Sequence, residues 1–442
     1  MDQHISSTIT TAPVALADRI KSIDAIRGFA LLGILMMNIP GFGINNDFWY
    51  PLVTGPRQGA NYYTFATVFT IFEGTMRGLF SMLFGAGMVL FMLNKKDVPG
   101  GTTVAEYYYR RLLWLVFFGL VNAFVILWQG DILFYYGLCG MLLFAFRKLQ
   151  PKWLLIIGLT CVAFAMIKRE WNYNEFRNKR AAYTEAMQAK KEKKEFSPEQ
   201  QVAIAVWSNI EKNDKPDTAY SNLNLRKMRS GYGTIFTYFI PQNAGFEISY
   251  MYGDPWDMLC MMFLGMALFG WGFFSNKLKT STYAMWLLIG YGIGIPVAWM
   301  IFDQYWMGYG STGIGVYTDN WRMSHDIFAE LRRIPLTIGH ASLVMLVFRS
   351  KLVPWLMKAL SNVGQMAFTN YLMQSIICTF FFYGYGFGNY NKLQFHQLYY
   401  VVGSVWIFQL IFSSIWLHYF RFGPFEWVWR SLTYWKLQPM RK

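Results

Sequence analysis

Residues 23–38, IDAIRGFALLGILMMN, form an apolar run that carries charge inside it. In lipid every backbone N–H and C=O has to be satisfied within the segment, so a lone run of this kind is restricted to a helix. At about 100° per residue, Asp24, Arg27 and Asn38 return to one face, because their separations of 3, 11 and 14 residues come back near the same direction. A polar stripe therefore runs along an otherwise apolar span, with Arg27 and Asn38 about 16 Å apart. Two readings are open. Either Arg27 snorkels to the headgroups and Asn38 makes one interhelical hydrogen bond, or the stripe opens a polar pathway into a bundle.

Further apolar stretches follow near 76–93, 111–128, 132–146, 153–167, 255–274, 282–302, 327–348, 364–383 and 398–420. With 54% of its 442 residues hydrophobic and 15% charged, the chain is expected to be an all-α, polytopic transmembrane bundle of about 10 spans. Most Lys and Arg residues lie between these stretches, so the net charge of +15 reflects topology in a lipid bilayer, and no nucleic-acid partner is expected. Cys139, Cys161, Cys260 and Cys378 all fall in apolar stretches without a C-x-x-C, and the five histidines are scattered, which argues against a metal site.

The connections near 94–111, 147–152, 277–279 and 349–358 hold four, three, two and three basic residues, against one, none and one near 43–60, 129–131 and 384–397. The positive-inside rule then places both termini in the cytosol of a bacterial cytoplasmic membrane. The connection carrying Arg322 and leading to Arg332 and Arg333 departs from that rule and is assigned to the outer interface. The expected organisation is a polar tail at 1–18, spans one to five within 19–167, an extracytoplasmic helical insert at 168–254, spans six to ten within 255–420, and a cytosolic interfacial segment at 421–442. The tail has no basic n-region, so no cleaved signal peptide is expected. In the insert, Ser197-Pro198-Glu199-Gln200 has the form of a capping box, and Val202, Val206 and Ile210 follow at helical spacing, which predicts a helical hairpin. The basic run at 190–194 is a solvated helix face or a contact for an anionic lipid or partner. Gly290, Gly292, Gly294 and Pro296 predict a kinked or broken seventh span.

Several groups could carry chemistry. Glu73 and Arg77, four apart, are a structural ion pair or a carboxylate tuned by a cation. Asp131 opens the fourth span as an N-cap or serves as an external base. His340 lies well inside an apolar span, where an ionisable group is expensive, and His325 with Asp326 forms either a cap or an acid/base pair. Asn370 and Gln374 share a helix face and either bond to neighbouring helices or line a polar cavity with Asn38. Gly85 and Gly87 are expected to let helices approach closely. The segment GPFEWVWRSLTYW, with Glu426 and Arg430 one turn apart, reads as an interfacial helix.

The ordered motifs RIKSIDAIRGFALLGILMMN, FSMLFGAG, GDILFYYGLCG, GQMAFTNYLMQS and GPFEWVWRSLTYW resemble the YeiB-like family of bacterial multi-pass membrane proteins over about residues 19–436. More widely, the first helix resembles that of membrane acyltransferases of the acyltransferase-3 and heparan-alpha-glucosaminide N-acetyltransferase groups. That resemblance implies transfer of an acyl group from a cytosolic coenzyme A thioester, as co-substrate, to a hydroxyl or amine on the far side. It also implies an Arg followed eleven positions later by a catalytic His. Arg27 matches the Arg, Asn38 stands at the His position, and Gln365 stands where the family often has Arg. Asn is no general base, so the base is sought among His340, Glu73 and Asp131, with Asn38 as a hydrogen-bond donor to the thioester oxygen. Asp24, Arg27, Arg77, Asn370 and Gln374 complete the candidate substrate-binding set. The expected activity is acyl transfer to a small-molecule, glycan or lipid acceptor. A permease for a small polar or amphiphilic molecule is the alternative, and a scaffold is a third. Whether the chain forms a homo-oligomer stays open.

Overall fold

A computed structural model describes residues 21–45, 49–93, 102–192, 197–215, 217–253, 255–321, 323 and 325–442. The polar tail at 1–18, Arg322, part of the basic run at 190–194, and the side chains of His325 and Asp326 lie outside the described residues.

The chain is helical, with no β-strand among the described residues. In order the helices are α1 Lys21–Gly43, α2 Trp49–Thr54, α3 Gly59–Ile71, α4 Thr75–Leu93, α5 Val104–Phe124, α6 Leu133–Leu143, α7 Pro151–Lys191, α8 Pro198–Asp214, α9 Thr218–Met228, α10 Tyr232–Gly253, α11 Pro255–Gly270, α12 Thr280–Ile301, α13 Gly308–Asn320, α14 Ala329–Ser350, α15 Pro354–Gln365, α16 Ala367–Phe382, α17 Phe395–Tyr419 and α18 Pro424–Tyr434. Each expected apolar stretch coincides with one of these. Six stretches are long and apolar enough to cross a membrane: Lys21–Gly43, Gly59–Met92, Pro151–Lys191, Thr280–Gln304, Ala329–Ser350 and Phe395–Tyr419. Leu133–Phe146, Pro255–Gly270 and Ala367–Phe382 are apolar but shorter, and α5 carries Glu106, Arg110 and Arg111 in its first turns. This is a membrane protein built as an α-helical bundle.

Helix α1 sits at the centre, packed on α4, α14, α15, α16 and α17, and its side chains are buried nearly all round. Small residues make this density possible. A Cβ on Gly28 would stand 2.0 Å from the Leu360 carbonyl, so α1 and α15 touch backbone to backbone. Gly85 and Gly265 do the same for α4 and α11, as expected of Gly85.

Helix α12 runs unbroken through Gly290, Gly292, Gly294 and Pro296, so of the expected kink or break the break does not occur. A Cβ at Gly290 would meet the Pro335 carbonyl at 2.4 Å, so this glycine admits α14 rather than weakening α12. The irregularity lies just beyond, in a π-helical turn over Phe302–Met307. Helix α7 is continuous from its apolar half into the charged insert, and α8 folds back on it. There Trp207 is fully buried beside Phe176, Tyr183 and Arg180. Ser197 accepts from the Gln200 amide at 3.3 Å and Gln200 answers at 3.1 Å, the expected capping box.

Candidate functional site

A cavity of about 190 Å³ lies between α1, α4, α5, α6, α15, α16 and α18. It follows α4 from Phe91 to Phe80, eleven residues or about 16 Å. The Phe91 end is cationic. Arg111 lies over the Phe91 ring at 5.4 Å and the Trp429 ring at 4.4 Å, and Arg27 and Arg430 line the same space. Gly87 leaves room there, since a Cβ on it would meet only Arg27 Nη2, at 4.0 Å. Thus Gly85 serves packing and Gly87 serves the cavity. Arg27 also pairs with Asp24 at 2.7 Å, one turn back on α1.

The walls are apolar, with Phe84, Leu115 and Phe368 among them, and the Phe80 end closes on two buried tyrosines. Tyr136 shares a 2.6 Å hydrogen bond with Ser81. The Tyr371 hydroxyl accepts from the Ile132 amide at 3.1 Å and stands 3.5 Å from both the Gly130 carbonyl and Asp131 Oδ1. Asp131 itself accepts from Asn122 Nδ2 at 2.7 Å and from the Phe134 amide at 2.9 Å, which caps α6. An N-capping carboxylate therefore lies directly behind a cavity hydroxyl.

Helix α18 closes the cationic end; Trp429 Nε1 donates to the Arg111 carbonyl at 2.9 Å, the Phe425 amide donates to the Thr369 hydroxyl at 3.0 Å, and Glu426 supplies the other bonds to α16. Glu426 accepts from the Phe368 amide at 2.7 Å, from the Thr369 amide at 3.0 Å and from the Thr369 hydroxyl, so it caps α16 from 57 residues away. Burial pushes its carboxyl above the usual range, against the pull of those donors.

Of the candidates read from sequence, Asp24, Arg27 and Asp131 fall at this cavity or against it, and the others are placed elsewhere. Asn38 lies three turns further along α1 and is half-buried. Asn370 donates to the Val363 carbonyl at 3.2 Å and to Ser413 at 2.9 Å. Gln374 donates to Gln409 at 3.0 Å, so this pair forms interhelical bonds and does not line this cavity. His340 Nε2 lies 2.9 Å from the Ile71 carbonyl, which can only accept, so Nε2 carries the proton and Nδ1 accepts from Tyr291 at 2.8 Å. Both ring nitrogens are engaged, and Phe72 stacks on the ring.

The expected Glu73–Arg77 pair does not form. Gly74, at φ 72°, turns the chain between α3 and α4, so the two residues do not share a helix. Glu73 instead pairs with Arg332, and Arg77 pairs with Asp257. Asp257 also meets Arg333, Arg333 meets Glu330 at 2.7 Å, and Glu330 meets Arg169 at 3.3 Å. Arg332 and Arg333 are therefore buried in ion pairs rather than exposed in a connection.

Arg111, Tyr371 and Glu426 were not singled out by sequence reasoning as site residues. The available signal for Arg111 was a second Arg opening an apolar span, as Arg27 does. Tyr371 stood inside the motif that supplied Asn370 and Gln374.

A family described as a protein of unknown function (DUF418) matches residues 268–436. The chain is 30% identical over 439 residues to the uncharacterized protein YeiB of Escherichia coli (strain K12), covering 94% of this chain and 96% of that one. It is 28% identical over 438 residues to the uncharacterized protein YxaH of Bacillus subtilis (strain 168), covering 97% and 98%. No solved structure matches.

Proposed function

The chain belongs to the YeiB-like family, and from that premise we propose that it is a membrane-embedded acyltransferase whose donor enters the cavity between Arg27, Arg111 and Arg430. The observation that carries this proposal is the polarity of one cavity: cationic at one end, apolar along its length, and closed by a hydroxyl backed by a carboxylate. Phosphate oxygens of a coenzyme A thioester suit the arginines, whose planar forks match them. The cavity is small for a drug-sized ligand, so the acyl arm enters while the nucleotide stays at the arginines. With both termini in the cytosol of a bacterial cytoplasmic membrane, the cationic end faces the cytosolic donor and the tyrosine end faces the far side.

In the transfer, an acceptor hydroxyl or amine attacks the thioester carbonyl. Its proton passes through the Tyr371 hydroxyl to Asp131, the carbon–sulfur bond breaks, and the departing thiolate takes that proton back by the same route, so that the thiol leaves and Asp131 is again ionised. Among the candidate bases Asp131 is the one beside the cavity. The role sketched for Asn38 at the thioester oxygen passes to Tyr136, which stands at the cavity wall.

The test is thermal stability of the purified protein with acetyl coenzyme A, a long-chain thioester and free coenzyme A. At 100 times Kd, binding adds about 2.7 kcal/mol. The expected result is a saturable rise that is lost in Arg27→Ala and Arg111→Ala. Silence with every thioester overturns the proposal. A permease for an anionic amphiphile is the second reading, favoured by a cavity sealed at its tyrosine end, as in one state of alternating access. It predicts uptake into vesicles without thioester cleavage.

A further inference from the structure

Helix α10 lies against the turn that joins α5 to α6, and the contact between them is rich in oxygen. Asn243 donates its amide hydrogens to the Ala123 carbonyl. One turn on, the Tyr135 hydroxyl reaches the carbonyls of Phe246 and Glu247, each at 3.1 Å. This stitching brings Asn243 and Glu247 to Asn122, Asp131 and Tyr135. Asn122, Asp131, Asn243 and Glu247 are between 0 and 5% exposed.

Four acceptors in this group meet no donor: Asn122 Oδ1, Asn243 Oδ1 and both carboxylate oxygens of Glu247. A buried acceptor without a donor forfeits the hydration it had in the unfolded chain, and a buried carboxylate forfeits more. Asp131 is compensated by Asn122, by the Phe134 amide and by the α6 N-terminus. Glu247 has only the Tyr135 hydroxyl beside it, whose hydrogen bonds at 3.1 Å go to the Phe246 and Glu247 carbonyls. The titratable groups that face the pair are Tyr135 from α6 and Tyr371 from α16, and no Lys, Arg or His side chain bonds to any of the four residues among the described ones.

We propose that Asp131, Glu247, Asn122 and Asn243 form a site for one sodium ion at the α5–α6 turn. The ligands are all oxygen, which selects a hard cation over one that seeks nitrogen or sulfur. Both Asp131 oxygens already accept, from Asn122 and from the Phe134 amide, which leaves four unengaged acceptors, fewer than the six to eight oxygens that a calcium ion takes. The residues are too enclosed for an organic ammonium. Burial pushes the Asp131 carboxyl up to about 7 and the Glu247 carboxyl up to about 8, the latter also because Asp131 stands beside it. A cation on the pair reverses that pressure and holds Asp131 ionised. The site shares Asp131 with the proposed acyl transfer, but its test uses no thioester, so either proposal can fail alone.

The experiment is thermal unfolding of the full chain in detergent at pH 8, with sodium chloride exchanged for choline chloride at constant ionic strength and potassium chloride as a third salt. The expected result is a saturable rise in Tm of about 2–4 °C with sodium that choline does not reproduce. The half-saturating concentration should rise up to about tenfold per pH unit on going from pH 8 to 6, as protons compete for the carboxylates. Glu247→Gln should abolish the sodium shift, and the wild-type titration decides alone if that variant does not fold. A Tm indifferent to sodium overturns the site, as does an equal rise with choline, or a sodium shift that persists in Glu247→Gln. Stability that rises on acidification with no sodium dependence assigns the compensating charge to a shared proton, and also overturns it.

Discussion

His340 and Asp131 are both buried ionisable groups in apolar surroundings, yet their neighbours give them opposite parts. The imidazole has a donor and an acceptor already matched, so it stabilises the junction of α3, α12 and α14 as a neutral ring. His340→Ala leaves Tyr291 and the Ile71 carbonyl without partners and opens a cavity, which should lower stability by about 2–4 kcal/mol. The thioester-induced stabilisation of the folded protein should remain as in wild type. Loss of that shift in a variant still folded at the assay temperature would make His340 part of the donor site. In sequence His340 stood beside Glu73 and Asp131 as a candidate base, because isolation in a span is expensive. The pattern could not reveal that Tyr291 lies 49 positions earlier, at hydrogen-bonding distance.

At the scale of helices, α18 depends on Glu426 for its seat on α16. Because the folded carboxyl lies above its ordinary value, the stability it contributes is present below about pH 4 and is lost as pH rises through the folded value. Glu426→Gln keeps an acceptor oxygen and removes the ionisation. Its Tm relative to wild type should therefore rise between pH 5 and pH 8, and a difference that stays flat or falls contradicts the assignment. The apolar elements were legible, though not their ends, because burial in lipid demands long apolar runs, and the capping box at Ser197 was legible because it is local. The partner of Glu426 was not, since a cap supplied from a distant helix leaves no spacing to read. The Glu73–Arg77 spacing misled for the converse reason: one glycine with positive φ removed the helix on which the spacing depends.

For the whole molecule, the proposed orientation rests on the basic connections, and it puts two exposed lysines on opposite sides, where it can be tested. Lys190→Cys, near the end of α7, should react with an impermeant maleimide on intact cells, whereas Lys351→Cys, after α14, should react only once the membrane is opened. The native cysteines are all buried and give a low background. The reverse pattern would invert the chain and place the cationic end of the cavity outside. The bundle as a class was legible from apolar content and periodicity. The cavity was not, because Arg27, Arg111 and Arg430 come from helices far apart in sequence, and only packing brings them together. Helix α7 has one more consequence. Its 41 residues form a rod of about 62 Å with no break between membrane and insert. A tilt of about 10° in the lipid-embedded half swings the far end by roughly 6 Å, given about 36 Å of charged helix beyond Ile167. The insert is thus geared to the bundle as a pointer is to its axle, and it magnifies displacements too small to notice among the packed spans.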